Sequence, residues 1–369
     1  MIYFDHNATT PIDDRVLEAM LPFLTSFYGN PSSLYRHGRI VRSAIDTARE
    51  QVASLVDAPI SQVVFTSGGT ESNNLALAIL PARGRLAISA TEHPSITEPA
   101  LRLKQLGSTL SIIDVDANGL VTQAAIEELI NKKPDLVSIM MANNETGVIQ
   151  DLAPCVQQLR TNDIIIHTDA VQALGKIPVS FNHLGAHLMS LSSHKIYGPK
   201  GCGALLFEKG LEITPVFLGG GQEQGLRAGT ENVAAIVGFG KAAELAKTEL
   251  SKRSEQLLAL RTLLEAHLAT IPGLTIFARQ ANRLPNTIQF GIPEIDGEML
   301  LMKLDQKAIA VSSGSACASG GRIPSPILIA MGVEAELAKS AIRISLGMAN
   351  TEIEVLEFIN QLKALVYQA

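Results

Sequence analysis

Five short apolar runs in this chain each end in a cluster of polar residues, and this pattern restricts the fold more than any single motif. Val63-Val64-Phe65-Thr66 leads into Ser67-Gly68-Gly69-Thr70, and Leu86-Ala87-Ile88-Ser89 into Thr91-Glu92-His93. Leu136 to Met141 ends at Asn143-Asn144-Glu145, and Ile164-Ile165-Ile166-His167 at Asp169-Ala170-Val171-Gln172. His187 to Leu191 ends at Ser192-Ser193-His194-Lys195. Near-continuous apolarity is the mark of strands buried on both faces. Stretches at helical spacing, such as Thr122 to Asn131 and Leu152 to Arg160, lie between some of them. Alternating strand and helix predicts a mainly parallel sheet covered by helices. Ligands in such sheets bind beyond the carboxyl ends of the strands, so the polar clusters are expected to converge on one cleft.

The chain has 369 residues, more than one core normally organises. We expect an α/β large domain over residues 15–250 with a mainly parallel seven-stranded sheet, and a smaller α+β domain joining residues 1–14 to 251–369. Helices are predicted through Val16, Met20 and Phe23, from Ile40 to Val56, and as one long stretch from Val233 to Leu268. Beyond Pro272-Gly273 the texture changes. Thr287–Phe290, Ala308–Ser312 and Ala341–Ser345 read as strands, between helices near Gly297–Leu304 and Ile327–Met331. A last helix opens at the capping box Thr351-Glu352-Ile353-Glu354.

A net charge of −6 with no basic block argues against a nucleic-acid partner. No apolar run is long enough to span a bilayer, and the first residues lack the features of a signal peptide. Cys155, Cys202 and Cys317 stand far apart without CxxC pairing, which speaks for a reduced, cytoplasmic setting and against a disulfide framework or a metal site.

Lys195 stands at a strand end between buried segments, with Gly198, Pro199 and Gly201 turning the chain behind it. Poor solvation there favours the neutral amine, a usable nucleophile toward a carbonyl. Ser67-Gly68-Gly69-Thr70 opens a helix, and its glycines serve either the turn or close approach of a phosphate. The GxxxxGK[ST] spacing of a P-loop is absent. His93, before Pro94, reads as a cap or as a ring-stacking group; Asp169 needs a cation or strong donors, in a salt bridge or at a ligand. Together these residues ask for a phosphate, an aldehyde, a protonated ring nitrogen and a flat ring. Pyridoxal phosphate supplies all four. Seven of the ten residues from Ser312 to Gly321 are Ser or Gly, which predicts a mobile loop exposing the Cys317 thiol. Arg343, inside a strand, calls for a carboxylate partner.

Asp5-His6-Asn7-Ala8-Thr9-Thr10-Pro11, Gly29-Asn30-Pro31-Ser32-Ser33, Thr66 to Asn73, Asn143-Asn144-Glu145, His194-Lys195, Arg227-Ala228-Gly229-Thr230 and the Cys317 loop occur in one order along the chain. In this the chain resembles the class V aminotransferases, and among them the cysteine desulfurases of the iron–sulfur cluster type, over nearly its whole length. The resemblance implies fold type I of the pyridoxal-phosphate-dependent transferases. It implies Lys195 as the Schiff-base lysine, Asp169 at the pyridine nitrogen, Gln172 at the phenolic oxygen and His93 stacked on the ring and moving protons. Gly69, Thr70, Ser192 and His194 would hold the phosphate, with Thr230 reaching over from the second subunit of a homodimer. Asn144 would contact the cofactor, Asn7 and Arg343 the carboxylate of L-cysteine, and Cys317 would take the sulfur as a persulfide. The sulfur would pass to an acceptor such as an iron–sulfur scaffold protein, or serve another thio-cofactor or tRNA thiolation. A selenocysteine lyase, an aminotransferase or a non-catalytic scaffold are the alternatives. The family often carries His where this chain has Tyr35 and Arg where it has Gln224.

Overall fold

The computed structural model describes residues 1–313 and 323–367, so Cys317 and most of its Ser/Gly-rich segment lie outside the described residues. The strands, in chain order, are β1 (Ile2–Tyr3), β2 (Val63–Thr66), β3 (Arg85–Ser89), β4 (Thr109–Ile113), β5 (Leu136–Ser138) and β6 (Ile165–Asp169). They continue with β7 (Leu188–Ser192), β8 (Gly203–Phe207), β9 (Thr275–Ile276), β10 (Thr287–Gly291), β11 (Ile309–Ala310) and β12 (Ile342–Ser345).

Seven of these form the main sheet in the order β2-β8-β7-β6-β5-β3-β4. Neighbours from β7 to β4 run parallel, while β8 is antiparallel to both β7 and β2. The mainly parallel seven-stranded sheet expected from the sequence is present. All the residues of β2, β5 and β7 are buried, in keeping with their mainly apolar character. The strand that the apolar pattern did not reveal is β4, an edge strand in which only Ile113 is buried. With one side open to water it needs no continuous apolar run.

Helices cover both faces. Asp14–Thr25 and Arg36–Leu55 pack on Val233–Thr248, where a Cβ on Gly240 would lie 2.6 Å from the Ala48 backbone. The missing side chain is what lets these two helices approach so closely. The stretch expected as one helix from Val233 to Leu268 is two, Val233–Thr248 and Leu250–Leu268. Its joint is Glu249, with φ −105° and ψ 5°, whose carboxylate is held by Arg15 and Arg253. At this joint Glu249 meets Arg15 of the first helix as well as its own i+4 neighbour Arg253.

A second core joins Phe4 to Leu257, Leu264, Ile288, Ile342 and Phe358. Around it lie an antiparallel sheet in the order β12-β10-β9 and a parallel pair of β1 with β11. The first residues of the chain are thus built into the same core as the last. Asp5 bridges to Ser345, which draws Asn7 in behind it. The last helix, Glu352–Val366, starts at the expected capping box, with Thr351 and Glu354 each bonded to the other's backbone. No helix of the described residues is long and apolar enough to cross a membrane.

Candidate active site

The polar ends of β2, β3, β5, β6 and β7 face the N-terminal segment and β12. Lys195 ends a short 3-10 turn, Ser193–Lys195, that follows β7 directly. Its Nζ donates to the carbonyl of Asn7 at 2.5 Å and to that of Ala8 at 2.7 Å. The N-terminal segment is fixed there because Thr10 N and Oγ1 both donate to the His194 carbonyl, at 3.0 and 2.9 Å. A lysine near the sheet's carboxyl edge is therefore held by backbone oxygens from the far end of the sequence.

Asn7 is engaged at both ends of its amide. Oδ1 accepts from Lys176 and from Asn286, each at 3.1 Å, and Nδ2 donates to Thr287 Oγ1 at 2.9 Å and the Asn144 carbonyl at 3.0 Å. For it to meet a substrate carboxylate, part of this set has to open. Gln172 donates from Nε2 to the Asn7 carbonyl at 3.0 Å and accepts at Oε1 from Lys176 at 2.7 Å. A backbone carbonyl can only accept, so the amide facing it has one orientation. Gln172 thus turns its N–H edge, not its oxygen, toward Asn7.

Asp169 is the last residue of β6 and is buried. Its carboxylate accepts from Asn73 Nδ2 at 2.7 Å and from the Val171 N–H at 2.9 Å, both neutral donors. Asn73 lies on the helix Gly69–Leu77, and its Nδ2 also donates to Ser95 Oγ at 2.7 Å. Ser95 Oγ in turn lies 2.7 Å from Nδ1 of His93, the N-cap of the helix Pro94–Gln105. One hydrogen-bonded chain therefore joins Asp169 to His93.

At the other end of the site the helix Gly69–Leu77 begins after Gly68, whose φ of 153° only glycine adopts without strain. A Cβ on Gly69 would meet Val171 Cγ2 at 3.0 Å and Ser192 Cβ at 3.6 Å, so the helix start sits against the end of β7. The Ser192 hydroxyl there is buried and has no partner among the described residues. His194 places Nδ1 3.1 Å from Thr9 Oγ1. Glu71 accepts from Arg227 at 2.9 Å, tying the loop that carries Thr230 to this helix start. Arg49 and Glu223, a buried bidentate ion pair, fasten the same loop to β2.

Arg343, on β12, is 2% exposed and donates to Asp5 Oδ1 at 2.6 Å and to the Asn144 carbonyl at 3.1 Å. Asp5 is the carboxylate partner that a strand arginine required. The Arg343 Nε and the Asn144 Oδ1 are both buried without a partner among the described residues. Unmet donors and acceptors of this kind cost stability unless a ligand meets them.

Burial sets the protonation of most groups here. It pushes His93 below the ordinary histidine range, with Asp169 opposing and Lys195 assisting the shift. His194 falls to about 4 for the same main reason, with Lys195 and Lys200 adding to it. Lys176, fully enclosed, is driven well below the lysine range by burial, then by Lys195 and Arg343. Glu92, enclosed beside Asp169, is pushed well above the carboxylate range by burial and by that charge.

These features fit pyridoxal phosphate. The helix start beside the unpartnered Ser192 hydroxyl offers N–H groups and a hydroxyl to a phosphate. The Asp169 carboxylate, bonded to neutral donors, has the charge to hold a ring nitrogen protonated. Lys195, His93, Asp169, Gln172, Ser192, His194, Gly69, Asn144, Asn7 and Arg343 are brought to one end of the sheet. Thr70 and Thr230 are exposed at its rim, and Cys317 lies outside the described residues. Sequence reasoning gave no role to Asn73, although it closes the Thr66–Asn73 motif, nor to Ser95 and Lys176. Asn73 and Ser95 follow flagged residues on helix starts, and Lys176 is four residues beyond Gln172 in a short apolar turn. Helical spacing from Gln172 is the signal that finds it.

The sequence matches the aminotransferase class-V family over residues 2–358. It is 42% identical over 371 residues to a cysteine desulfurase IscS of Dictyoglomus turgidum, a match covering 99% of this chain and 94% of that one. Among solved structures, a NifS-like protein superposes with a TM-score of 0.93 at 37% identity, each chain covered completely. SspA in complex with cysteine superposes with a TM-score of 0.84 at 32% identity, covering 95% of this chain and 100% of that one.

Proposed function

The chain belongs to the aminotransferase class-V family, and from that premise we propose that it is a pyridoxal-phosphate-dependent cysteine desulfurase. The observation that carries the reading is the end of β6: a buried carboxylate with neutral donors, one hydrogen-bonded chain from His93, and, just after the neighbouring strand, the lysine. Bound there, pyridoxal phosphate supplies an aldehyde that bonds amines and a ring that draws charge from the substrate's Cα.

Asp169 holds the ring nitrogen protonated, and Gln172 presents an N–H to the phenolic oxygen. Ser192, Gly69, Thr70 and His194 receive the phosphate, with Thr230 contributed by a second copy in a homodimer. The exposed Val216, Phe217 and Leu218, next to the glycine loop, suit burial against that copy. Lys195 anchors the cofactor at rest. Once free of the cofactor it would take the proton from the substrate's Cα, and the carbonyls of Asn7 and Ala8 are within reach of its ammonium. Arg343, whose Nε lacks a partner, receives the substrate carboxylate beside Asn144, with Asn7 behind them.

Cys317 accepts the sulfur. The substrate's C–S bond breaks, an S–S bond to Cys317 forms, and the carbon is protonated, so L-cysteine and a thiol become L-alanine and a persulfide. That sulfur passes to an acceptor protein, an iron–sulfur scaffold in the reading we favour. Cys155 and Cys202 are buried free thiols that burial raises, Cys155 to about 12, so neither competes as a thiolate. Free thiols of this kind suit the cytoplasm.

Purified protein with pyridoxal phosphate and L-cysteine is expected to release L-alanine. Cys317→Ser should keep the cofactor's visible absorption yet lose persulfide and most alanine, and Lys195→Ala should lose turnover altogether. Undiminished alanine release by Cys317→Ser would overturn the assignment of the thiol.

A further inference from the structure

His93 has two ring nitrogens, and the structure decides which of them carries the proton. The backbone N–H of Ser95 points at Nδ1 from 3.0 Å, and a main-chain N–H can only donate. The Ser95 hydroxyl lies 2.7 Å from the same nitrogen. That hydroxyl already accepts from Asn73 Nδ2, at 2.7 Å, which leaves its own proton for Nδ1. The Asn73 amide cannot turn round, because its oxygen would then face the Asp169 carboxylate that Nδ2 now meets at 2.7 Å. Every donor direction from Asp169 to the imidazole is therefore set. Nδ1 is an acceptor of two hydrogen bonds, and the proton of the neutral ring belongs on Nε2.

We propose that Ser95, backed by Asn73, is a positioning residue that holds His93 as the Nε2–H tautomer, so that His93 meets its ligand as a hydrogen-bond donor. To take up a proton His93 must do so at Nδ1, giving up the bond that caps its helix. At rest it is a donor of the Nε2 proton and not the base that removes one from a thiol. Only the identity of the ligand, the cofactor and its substrate, rests on the function proposed above.

The charged groups around the ring come from several elements. Asp169 of β6 favours its protonated form, and Lys195, after β7, opposes it. Glu98 and Arg102, on the ring's own helix, line the same cleft. Glu92 accepts from the Met140 N–H. None of these donates to Nδ1, so the tautomer is fixed by Ser95.

The test is nitrogen NMR on protein with 15N-labelled imidazoles, read both without cofactor and as holoenzyme, with the His93 signals identified by their loss in His93→Gln. Near neutral pH, Nδ1 is expected as the unprotonated nitrogen and Nε2 as the protonated one. Ser95→Ala removes one of the two bonds that favour the neutral ring, so its titration midpoint should rise by about half a unit to one unit. Ser95→Thr should restore it, which a general loosening of the fold would not allow. A proton on Nδ1 in the wild-type protein, or a midpoint unmoved in Ser95→Ala, overturns the proposal. Should Ser95→Ala not fold, the wild-type spectrum alone decides. If the protein takes no pyridoxal phosphate, the cofactor reading fails, and the tautomer is still read from the unliganded protein.

Discussion

Replacing Arg49 by Met tests how the glycine-rich loop is held. Arg49 meets Glu223 through Nη1 at 2.7 Å and Nη2 at 2.6 Å, with side chains 9% and 2% exposed. Nη1 also donates to the Val63 carbonyl at 2.7 Å, and the guanidinium lies 4.8 Å from the centre of the Phe65 ring. Without Arg49, the Glu223 carboxylate keeps only the Phe65 N–H, at 2.8 Å, among the partners described here. Removing one member of a buried pair costs about 3–5 kcal/mol, chiefly because the other charge stays buried. Glu223 and its neighbour Gln224 have φ of 46° and 59°, so the loop has strain of its own to relieve once the anchor is gone. At roughly 2–4 °C per kcal/mol the melting temperature should fall by about 6–20 °C.

The double variant Arg49→Met/Glu223→Gln separates charge from packing. It removes the stranded carboxylate and should recover a substantial part of the loss, measured by urea unfolding as a double-mutant cycle. Because the loop continues to Arg227, bonded to Glu71 at the helix start, Arg49→Met should also release cofactor faster on dialysis. A single variant as stable as wild type, or a double variant no better than the single, would refute the argument.

Arg343→Lys keeps the charge and loses the fork, so KM for L-cysteine should rise by about 10–100-fold in steady-state assays, the loss of one charge-assisted bond. Lys176→Met leaves Gln172 Oε1 buried without its donor, and denaturant unfolding should register a loss of about 1–3 kcal/mol. His167, His6 and His194 fall from 6.5 to about 3, 4 and 4, chiefly by burial. They stay neutral in the fold and charge in the unfolded chain, so their contribution is complete above about pH 6.5 and is lost as pH drops toward 4. His167→Gln should give a flatter dependence of melting temperature on pH than wild type. That difference isolates the histidine from Glu92 and Glu145, whose raised carboxyls act in the opposite direction.

The parallel sheet was legible because strands buried on both faces are mostly apolar, and β2, β3, β5, β6 and β7 are apolar runs whose polar residues gather mainly at their carboxyl ends. The edge strand β4 escaped because one of its sides stays wet. The helix joint at Glu249 escaped because nothing local in the run marks it, and its partner there, Arg15, stands 234 residues earlier in the chain. The same division runs through the site. Asp169 and Lys195 could be singled out because a charged side chain at the end of an apolar run needs a reason. Asn73 and Ser95 are ordinary helix-start residues in sequence, and only folding brings one between Asp169 and the other. Asn7 drew notice as a motif residue, but its partners Lys176, Asn286 and Thr287 come from three different segments. A reader of the sequence can identify the groups that carry charge. The neutral groups that orient them are found by tertiary structure alone.

Burial also decides which of those groups carry charge. His93, His194, His6, His167 and Lys176 are all shifted toward their neutral forms, and Glu92 and Glu145 toward theirs. A cluster so rich in ionisable side chains therefore presents few unbalanced charges to a ligand. Neutral donors and acceptors such as Asn73 and Ser95 orient it without adding fields of their own. A phosphate, a ring nitrogen and a substrate carboxylate then each meet a chosen partner rather than a diffuse potential, which is the preorganisation that makes fixed dipoles effective in a dry site. It follows that substitutions adding charge at these neutral positions, Asn73→Asp above all, should harm cofactor binding more than substitutions that merely delete a bond, such as Asn73→Ala. Equal cofactor affinities for the two variants, measured by fluorescence titration, would show that charge at this position is immaterial.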